Sequence, residues 1–367
     1  MKILIGADLV PKKAEVNELF IKGDVQTLFN GVAELAKDAD RFIVNLECAL
    51  THEEKEIKKM GPCLKADPKC ADTFKKVGIT DIALANNHVY DFGESGLRDT
   101  MKNLERVGLP YMGVGENDTD SRKIYYIETA DKKVAVVNVC EHEYSYALPD
   151  RMGANPYDPY LTMQDIRVAK KNADYVIVLY HGGKEHCRYP SPRLRNLCRE
   201  MVYCGANVVL TQHSHCIGCY EEFEGGHILY GQGNFHFCWD NDTEMWNTSL
   251  LVELTLDKGV QINFIPLVTA ENKLGIDLAK GEEKERILKE FEARNEDLQN
   301  GKWKEGWHDF CVGFQNMYLE PLKGAEMLEG NEWRAQKFAH YLDCEAHNDV
   351  WKELFPTWHQ AKRNNRE

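Results

Sequence analysis

The chain has 367 residues, a length that fits about two domains or one large layered domain with an extension. Hydrophobic residues make up 43% and charged residues 28% of the chain, a composition that excludes a wholly disordered or fibrous protein. The 59 acidic residues outnumber the 45 basic ones, and the resulting net charge of −14 argues against binding of nucleic acid or anionic lipid.

The sequence indicates a cytoplasmic protein with no membrane insertion. No run of about 18 uncharged apolar residues is present, so no transmembrane helix is predicted. The apolar run after Lys2 stops at Gly6 and Asp8, which is too short for the core of a signal peptide. We therefore expect the 12 cysteines to be reduced and mostly buried.

The first two thirds of the chain alternate short runs of Val, Ile and Leu with helical patterns. The predicted strands cover residues 2–6, 41–46, 81–85, 124–128, 133–139, 175–180, 207–211 and 227–230. The predicted helices cover residues 26–37, 68–77, 93–107, 162–171 and 192–204. This order predicts a layered α/β core with a mainly parallel sheet. Hairpins over 124–139 and 249–268 predict a second, more antiparallel sheet.

The residue composition and the hydrophobic pattern of the sequence change after about residue 268. Residues 282–296 are highly charged with helical spacing, and five of the seven tryptophans lie beyond them: Trp303, Trp307, Trp333, Trp351 and Trp358. We expect one domain over residues 1–268 and a helical region over 269–367 that packs its aromatic side chains on itself or on the core. Residues 362–367 are expected to form a polar tail.

Side chains that bind metal ions follow five of the predicted strands. They are Asp8, Glu47, Asn87 with His88, His181, and His213 with His215. Because ligands bind beyond the carboxyl ends of the strands in α/β sheets, neighbouring strands would bring these side chains into one pocket. Two divalent cations about 3.5–4 Å apart can hold a phosphoryl-type centre and activate a water molecule. Mixed nitrogen and oxygen ligands favour Mn, Fe, Zn or Co over Mg or Ca.

The order of these motifs resembles a known family. The motifs are Asp8, Asn45-Leu46-Glu47, Asn86-Asn87-His88 with Asp91 and Gly93, His181-Gly182-Gly183-Lys184-Glu185, His213-Ser214-His215 and Gly231-Gln232-Gly233-Asn234-Phe235. Over about residues 1–268 the chain resembles the bacterial capsule-synthesis proteins of the CapA type, the poly-γ-glutamate capsule family. That family is similar in fold to the calcineurin-like metallophosphoesterases. The resemblance implies a four-layer α/β sandwich, two mixed sheets flanked by helices, with a helical C-terminal extension.

The resemblance also implies a cofactor of two divalent metal ions, Mn, Fe or Zn. Asp8 and His215 would ligate the first metal, Glu47 would bridge both metals, and Asn87, His181 and His213 would ligate the second. Phosphoesterases usually carry His or Asn two residues after the first Asp, but this chain has Val10 there, which cannot ligate. The first metal would then have three protein ligands and water.

The remaining implied roles concern catalysis and substrate. His88 would protonate the leaving-group oxygen as the general acid, and Asp91 would orient the His88 ring. Asn45, Glu185 and Asn234 are candidate substrate contacts. Glu185 is equally compatible with a solvated loop, and Asn234 with a glycine turn. Residues 141–143 either line the cleft or form a solvated loop.

Three hypotheses for function remain open at this stage. The first is a metal-dependent hydrolase of phosphoesterase type in the synthesis of a capsule or surface polymer, either poly-γ-glutamate or exopolysaccharide. The second is a non-catalytic subunit that binds the polymer or other polymer-synthesis proteins and retains the site. The third is a metal-dependent hydrolase of γ-glutamyl amide bonds, because ligand sets alone do not distinguish phosphoryl from acyl substrates.

Overall fold

Two mixed β-sheets stack face to face in the computed structural model, which describes residues 1–322 and 332–355. In spatial order, the first sheet contains Ile276–Leu278, Val260–Thr269, Thr248–Leu256, Lys2–Leu9, Arg41–Leu46, Asp81–Ala83 and Tyr111–Met112, with Asn234–His236 also paired to Lys2–Leu9. The second sheet contains Ile217–Phe223, Gly226–Gln232, Val208–Gln212, Tyr175–His181, Lys133–Cys140 and Tyr125–Glu128.

The second sheet has a parallel centre and two antiparallel edges, whereas the first sheet is antiparallel on one side and ends on the other in the parallel strand Tyr111–Met112. The two hairpins were expected to form one antiparallel sheet, but they lie in different sheets. The hairpin ending in Lys133–Cys140 lies at the edge of the second sheet, and the hairpin of Thr248–Leu256 and Val260–Thr269 extends the first. A short turn can only add an antiparallel neighbour, so each hairpin extends an otherwise parallel sheet at its edge.

Apolar side chains cover both faces of each sheet. Ile3 and Ile5 point between the sheets, where they pack with Ile177 of the second sheet, whereas Leu4 points to the outer face of the first sheet. This division follows the two-residue period of a strand. Burial on both faces explains why these strands read as continuous apolar runs instead of alternating patterns.

Helices cover the two outer faces and complete four layers. Five helices pack on the first sheet: Ala14–Lys22, Val25–Phe29, Val32–Lys37, Cys70–Val77 and Gly93–Arg106. Leu161–Asn172 and Pro192–Tyr203 pack on the second. Short helices span Asp118–Ser121 and Glu244–Asn247, and two-residue strand pairs join Ala49–Leu50 to Lys65–Ala66 and Val114–Gly115 to Gly153–Ala154. The predicted four-layer sandwich is confirmed.

The described part of the chain is helical from Gly281 onward. Its helices span Gly281–Asn300, Trp303–Gly313, Gln315–Leu322, Glu332–Asp343 and Glu345–Leu354. Phe291 of the first of these helices packs against the sheet residue Phe264, and Trp307 lies in a separate apolar cluster of the last helices. Trp358 and the predicted tail lie outside the described residues. Among the described helices, none is both long and apolar enough to cross a membrane.

One predicted helix, over residues 26–37, is wrong as a continuous element. It is broken into Val25–Phe29 and Val32–Lys37 at Asn30, whose φ of 42° is left-handed. The Asn30 amide donates to the carbonyl of Ile276 at 3.0 Å, and the amide N–H of Gly31 donates to Asp277 at 3.1 Å. These contacts with a distant strand outweigh the local helical preference.

The strand Ile217–Phe223 is absent from the sequence-based prediction because Gly218 and two glutamates interrupt its apolar pattern. A Cβ atom on Gly218 would lie 1.4 Å from the carbonyl oxygen of Tyr230, so only glycine fits there. Cys216 and Cys219 on either side of this glycine are buried free thiols. The pair therefore belongs to a close-packed edge of the second sheet.

We expect Gly218→Ala to lower the free energy of unfolding by about 3 kcal/mol or more, because the added methyl group meets rigid backbone. Gly259→Ala is the matched control, since a Cβ there has no neighbour within 4 Å. Urea unfolding of the two variants tests this difference. Equal stabilities of the two variants would contradict the packing assigned to the edge strand.

Candidate metal centre

The residues singled out from the sequence converge where the two sheets meet at the carboxyl ends of their parallel strands. Asp8 lies in register with Asn45 and Asn234 in the first sheet. The Asn45 amide reaches His181 of the second sheet, with Nδ2 3.2 Å from Nδ1. The candidate residues are Asp8, Asn45, Glu47, Asn87, His88, Asp91, His181, Glu185, His213, His215 and Asn234; all except Glu185 are buried. Their convergence is observed, whereas their individual roles stay predictions.

Asp8, Glu47 and His215 form one of the two groups of possible cation ligands that share Glu47. Nδ1 of His215 lies 3.5 Å from Oδ2 of Asp8 and 2.9 Å from Oδ1 of Asn234. Donation from Nδ1 to Asn234 would leave Nε2 of His215 as the ligand atom, an arrangement common for metal-binding histidines. Val10 is buried, and its side chain offers no ligand atom to this group.

Glu47, His181 and His213 form the second group. Nε2 of His181 lies 3.3 Å from Oε1 of Glu47 and 2.9 Å from Oδ1 of Asn87. Nδ1 of His213 lies 4.0 Å from the same Glu47 oxygen. Glu47 belongs to both groups, so its two oxygens could serve a pair of adjacent cations.

The surroundings of Glu47 indicate whether the residues around it are suited to hold a cation. Both of its oxygens are buried, and neither accepts a hydrogen bond from residues 1–322 or 332–355. The buried Nδ1 of His213 lacks a hydrogen-bond partner in the same part of the chain. A buried carboxylate without partners is costly, and a divalent cation between these atoms would remove that cost. The donor set therefore fits metal ions.

Burial also shifts the protonation of the group. It raises the pKa of Asp8 to about 6, with a further contribution from Glu47, and it raises the pKa of Glu47 well above its usual range. Burial lowers the pKa values of His181 and His213, and that of His215 to about 4. The imidazoles are thus neutral at pH 7, which is the form that ligates metals. A bound cation would favour the ionised carboxylates.

The backbone of the two histidines after the strand Val208–Gln212 is strained. His213 has φ of 84° and His215 has φ of 53°, in the left-handed region that side chains other than glycine rarely adopt. The backbone N–H of His213 donates to Oδ2 of Asp8 at 3.3 Å, which helps to hold this conformation. Strain of this kind costs on the order of 1–3 kcal/mol per residue and is concentrated at functional sites.

His88 lies in a separate hydrogen-bonded cluster beside these two groups. Its Nδ1 is 2.6 Å from Oδ2 of Asp91, and Oδ1 of Asp91 accepts from Nζ of Lys59 at 2.5 Å. Burial of His88, with a further contribution from the charge of Lys59, lowers the pKa of His88 to about 4; the Lys59 side chain is itself only 2% exposed. Lys59 was not predicted as a site residue, because it lies in a charged run that has the pattern of a solvent-exposed segment.

The structure adds detail to the three predicted substrate contacts. Both ends of the Asn45 amide are used, by Asp8 at 2.8 Å and by Asn86 at 3.0 Å. Asn234 is likewise engaged by His215 and by the carbonyl of Trp246. These contacts favour a role of Asn45 and Asn234 in orienting the metal-ligating side chains Asp8 and His215. A contact of either amide with substrate stays a prediction. Glu185 lines the cavity next to His88.

Residues 141–143, whose place was left open, divide between two environments. Oε2 of Glu143 lies 3.3 Å from Nε2 of His213, so this carboxylate lines the cleft. Glu141 instead pairs with Arg193, and His142 with Glu345. His340 also reaches Glu143 and was not predicted as a site residue, since nothing in the local sequence of the C-terminal helices links it to the strand ends.

We expect Asp8→Asn to stabilise the metal-free protein at pH 8 by on the order of 1–3 kcal/mol. The folded protein holds the Asp8 proton up to a pKa of about 6, against an ordinary value of 3.8, so ionisation destabilises the fold as pH rises through this window. The difference should vanish near pH 4. Urea unfolding with a chelator at both pH values tests this, and a less stable variant at pH 8 would contradict it.

Comparison with known proteins places these motifs in a family. Residues 5–238 match the family model described as bacterial capsule synthesis protein PGA_cap. The chain is 30% identical over 263 residues to the capsule biosynthesis protein CapA of Bacillus anthracis, covering 69% of this chain and 64% of that protein. It is 29% identical over 241 residues to the PGA biosynthesis protein CapA of Bacillus subtilis strain 168, covering 63% and 62%. The chain thus spans less than two thirds of the length of these relatives.

Two solved structures resemble the chain more distantly. A hypothetical protein of Thermus thermophilus aligns with a TM-score of 0.44 and 13% identity over 72% of this chain and 98% of that one. A dimetal phosphatase from Danio rerio aligns with a TM-score of 0.34 and 9% identity over 72% and 95%. The family match spans every strand-end residue from Asp8 to Asn234, and the chain belongs to the bacterial capsule synthesis protein family PGA_cap.

Proposed function

We propose that the chain is a metal-dependent hydrolase of phosphoesterase type with a dinuclear centre, acting in the synthesis of a capsule or surface polymer. The observation that carries this proposal is the position of Glu47. Its buried oxygens accept no hydrogen bond from residues 1–322 and 332–355, and the residue belongs to two groups of possible ligands, one with Asp8 and His215 and one with His181 and His213. A bridging carboxylate between mixed oxygen and nitrogen ligands suits a pair of Mn, Fe or Zn ions.

The metal ions, when bound, would polarise a phosphoester oxygen and lower the pKa of a water molecule. The chain's own residues would then orient the substrate and supply a proton. With Nδ1–H donated to Asp91, His88 would have to take up a second proton on Nε2 before it could pass that proton to the leaving-group oxygen. Lys59 holds the other oxygen of Asp91 and thereby fixes the position of His88.

The relatives indicate the biological setting. The two Bacillus proteins are named for capsule biosynthesis and for PGA biosynthesis, and we propose a related polymer, poly-γ-glutamate or exopolysaccharide, as the setting for this chain. Partners would be the polymer or its precursors and other polymer-synthesis proteins. γ-Glutamyl amide bonds are an alternative target of the same centre, because the ligand set does not distinguish acyl from phosphoryl substrates.

A non-catalytic, polymer-binding subunit is the second candidate function. The specific observation in its favour is Val10, which lies where phosphoesterases usually carry a ligand and leaves the first group with three protein ligands. A centre with a weak first metal site could bind an anionic polymer without turnover. The two candidates differ in whether substitution of His88 changes a measurable reaction rate.

We expect His213→Ala to lose at least one equivalent of bound metal, since the ring lies beside Glu47. His52→Ala is the control, because its side chain is 77% exposed and lies outside both groups. Elemental analysis of protein loaded with Mn or Zn and then desalted tests this. Equal, negligible metal in the wild type and both variants would eliminate the proposed centre.

We expect His88→Ala to lower kcat for an aryl phosphate by about 10²–10⁴-fold while the metal content is unchanged, because a general acid contributes about that factor. The assay should include poly-γ-glutamate, with chain length as the readout, to detect amide hydrolysis. Turnover by the wild type that survives in His88→Ala would reject the role of His88. Tight polymer binding with no turnover in either protein would favour the second candidate.

A further inference from the structure

The C-terminal helices form one wall of a cavity of about 350 Å³ next to His88. Glu143 and Glu185, which follow strands of the α/β core, also line the cavity, and the helices contribute His340 and His347. The family match ends at residue 238, so the helical wall lies outside the part of the chain that defines the family.

Three side chains around this cavity form a group separate from the two that share Glu47. One ligand atom each from Glu143, His340 and His347 lies within 4.8 Å of the others. Nε2 of His340 is 3.4 Å from Oε1 of Glu143. Two imidazoles and one carboxylate are a ligand set that binds zinc with a fourth position open to water or substrate.

The orientation of His347 is set by Tyr318. The Tyr318 hydroxyl lies 2.6 Å from Nδ1 of His347, and the two rings are packed with centroids 5.6 Å apart. Among the residues that the structure describes, no group forms a hydrogen bond with Nε2 of His347. If Nε2 of His347 ligated a cation, the ring proton would be on Nδ1. The Nδ1–H would then donate to the Tyr318 oxygen, as metal-bound histidines usually donate their other ring N–H to a neighbouring acceptor.

We propose that Glu143, His340 and His347 bind a further divalent cation, with zinc the best match to the ligand set. All three residues line the cavity beside His88. Lys184 lies near these histidines, and its charge is offset by Glu185 at 3.8 Å.

Glu143 couples this site to the predicted dinuclear centre. Its Oε2 faces Nε2 of His213 at 3.3 Å, and its Oε1 faces His340. One carboxylate thus would orient a ligand of one centre while ligating the other. The cation would also tie two C-terminal helices, Glu332–Asp343 and Glu345–Leu354, to the loop after Lys133–Cys140.

The test counts zinc in the full chain. Protein stripped with a chelator is loaded with Zn²⁺, desalted and analysed for metal per chain. We expect His340→Ala and His347→Ala each to bind one equivalent fewer than the wild type. The matched control is His308→Ala, another histidine of the C-terminal helices, which is exposed and pairs with Glu353 outside the group. It should keep the wild-type count.

His181→Ala separates this proposal from the proposed function. If both hold, His181→Ala loses zinc from the centre at Glu47 and keeps the equivalent that depends on His347. If the dinuclear centre fails, wild type binds a single equivalent that His347→Ala removes. Wild-type zinc counts in both His340→Ala and His347→Ala would overturn the further site.

Tyr318→Phe provides a second test in case His340→Ala or His347→Ala does not fold. The substitution retains the aromatic ring and removes only the hydroxyl group. We expect the zinc affinity of the His347-dependent equivalent to fall by about 10-fold or more, measured by competition with a chromophoric chelator. Unchanged affinity of every zinc equivalent in Tyr318→Phe would also overturn the proposal.

Discussion

The arrangement of this protein depends on two carboxylates, Asp8 and Glu47, that are buried where the two sheets meet. Glu47 has no accessible oxygen and accepts no hydrogen bond from the described residues, and Asp8 beside it is fully buried. A lone buried charge is among the most unfavourable features that a fold can contain. Such groups persist only where the surrounding framework is stable and where a cation or proton balances them.

The pair of stacked sheets supplies the stability that offsets the unfavourable burial of these carboxylates. Strands such as Tyr175–His181 are covered on both faces, and their apolar residues supply burial over most of their length. The candidate ligand residues lie at or just after the carboxyl ends, where the strands leave the core. The same segments thus hold the sheets together and fix the spacing of the ligand atoms, because register between neighbouring strands, such as Asp8 with Asn45, is set by the backbone hydrogen bonds.

Strand ends were the part of the site that could be predicted from sequence. A carboxylate or imidazole directly after an apolar run has few structural explanations, and parallel strands necessarily align their carboxyl ends. The contributions of Lys59, His340 and His347 could not be predicted in this way, and that of Glu143 was left open between the cleft and a solvated loop. Each lies on a loop or helix whose local pattern is that of a solvated or self-packing segment, and only the tertiary fold brings it to the cleft.

The errors in the predicted fold have the same origin. The break at Asn30 is made by hydrogen bonds to residues 276 and 277, and the strand Ile217–Phe223 exists because Gly218 allows close approach to its neighbour. Neither of these long-range contacts can be predicted from the local pattern of apolar residues. Conversely, the layer order follows from strand and helix alternation alone, since each apolar face has to be covered by the next layer.

The central claim is that the strand ends gather around two cations bridged by Glu47. Anomalous diffraction from crystals loaded with Mn or Zn tests it most directly. The account predicts two peaks about 3.5–4 Å apart, one beside Asp8 and His215 and one beside His181 and His213. Fully loaded crystals with no anomalous peak within coordination distance of Glu47 would contradict it.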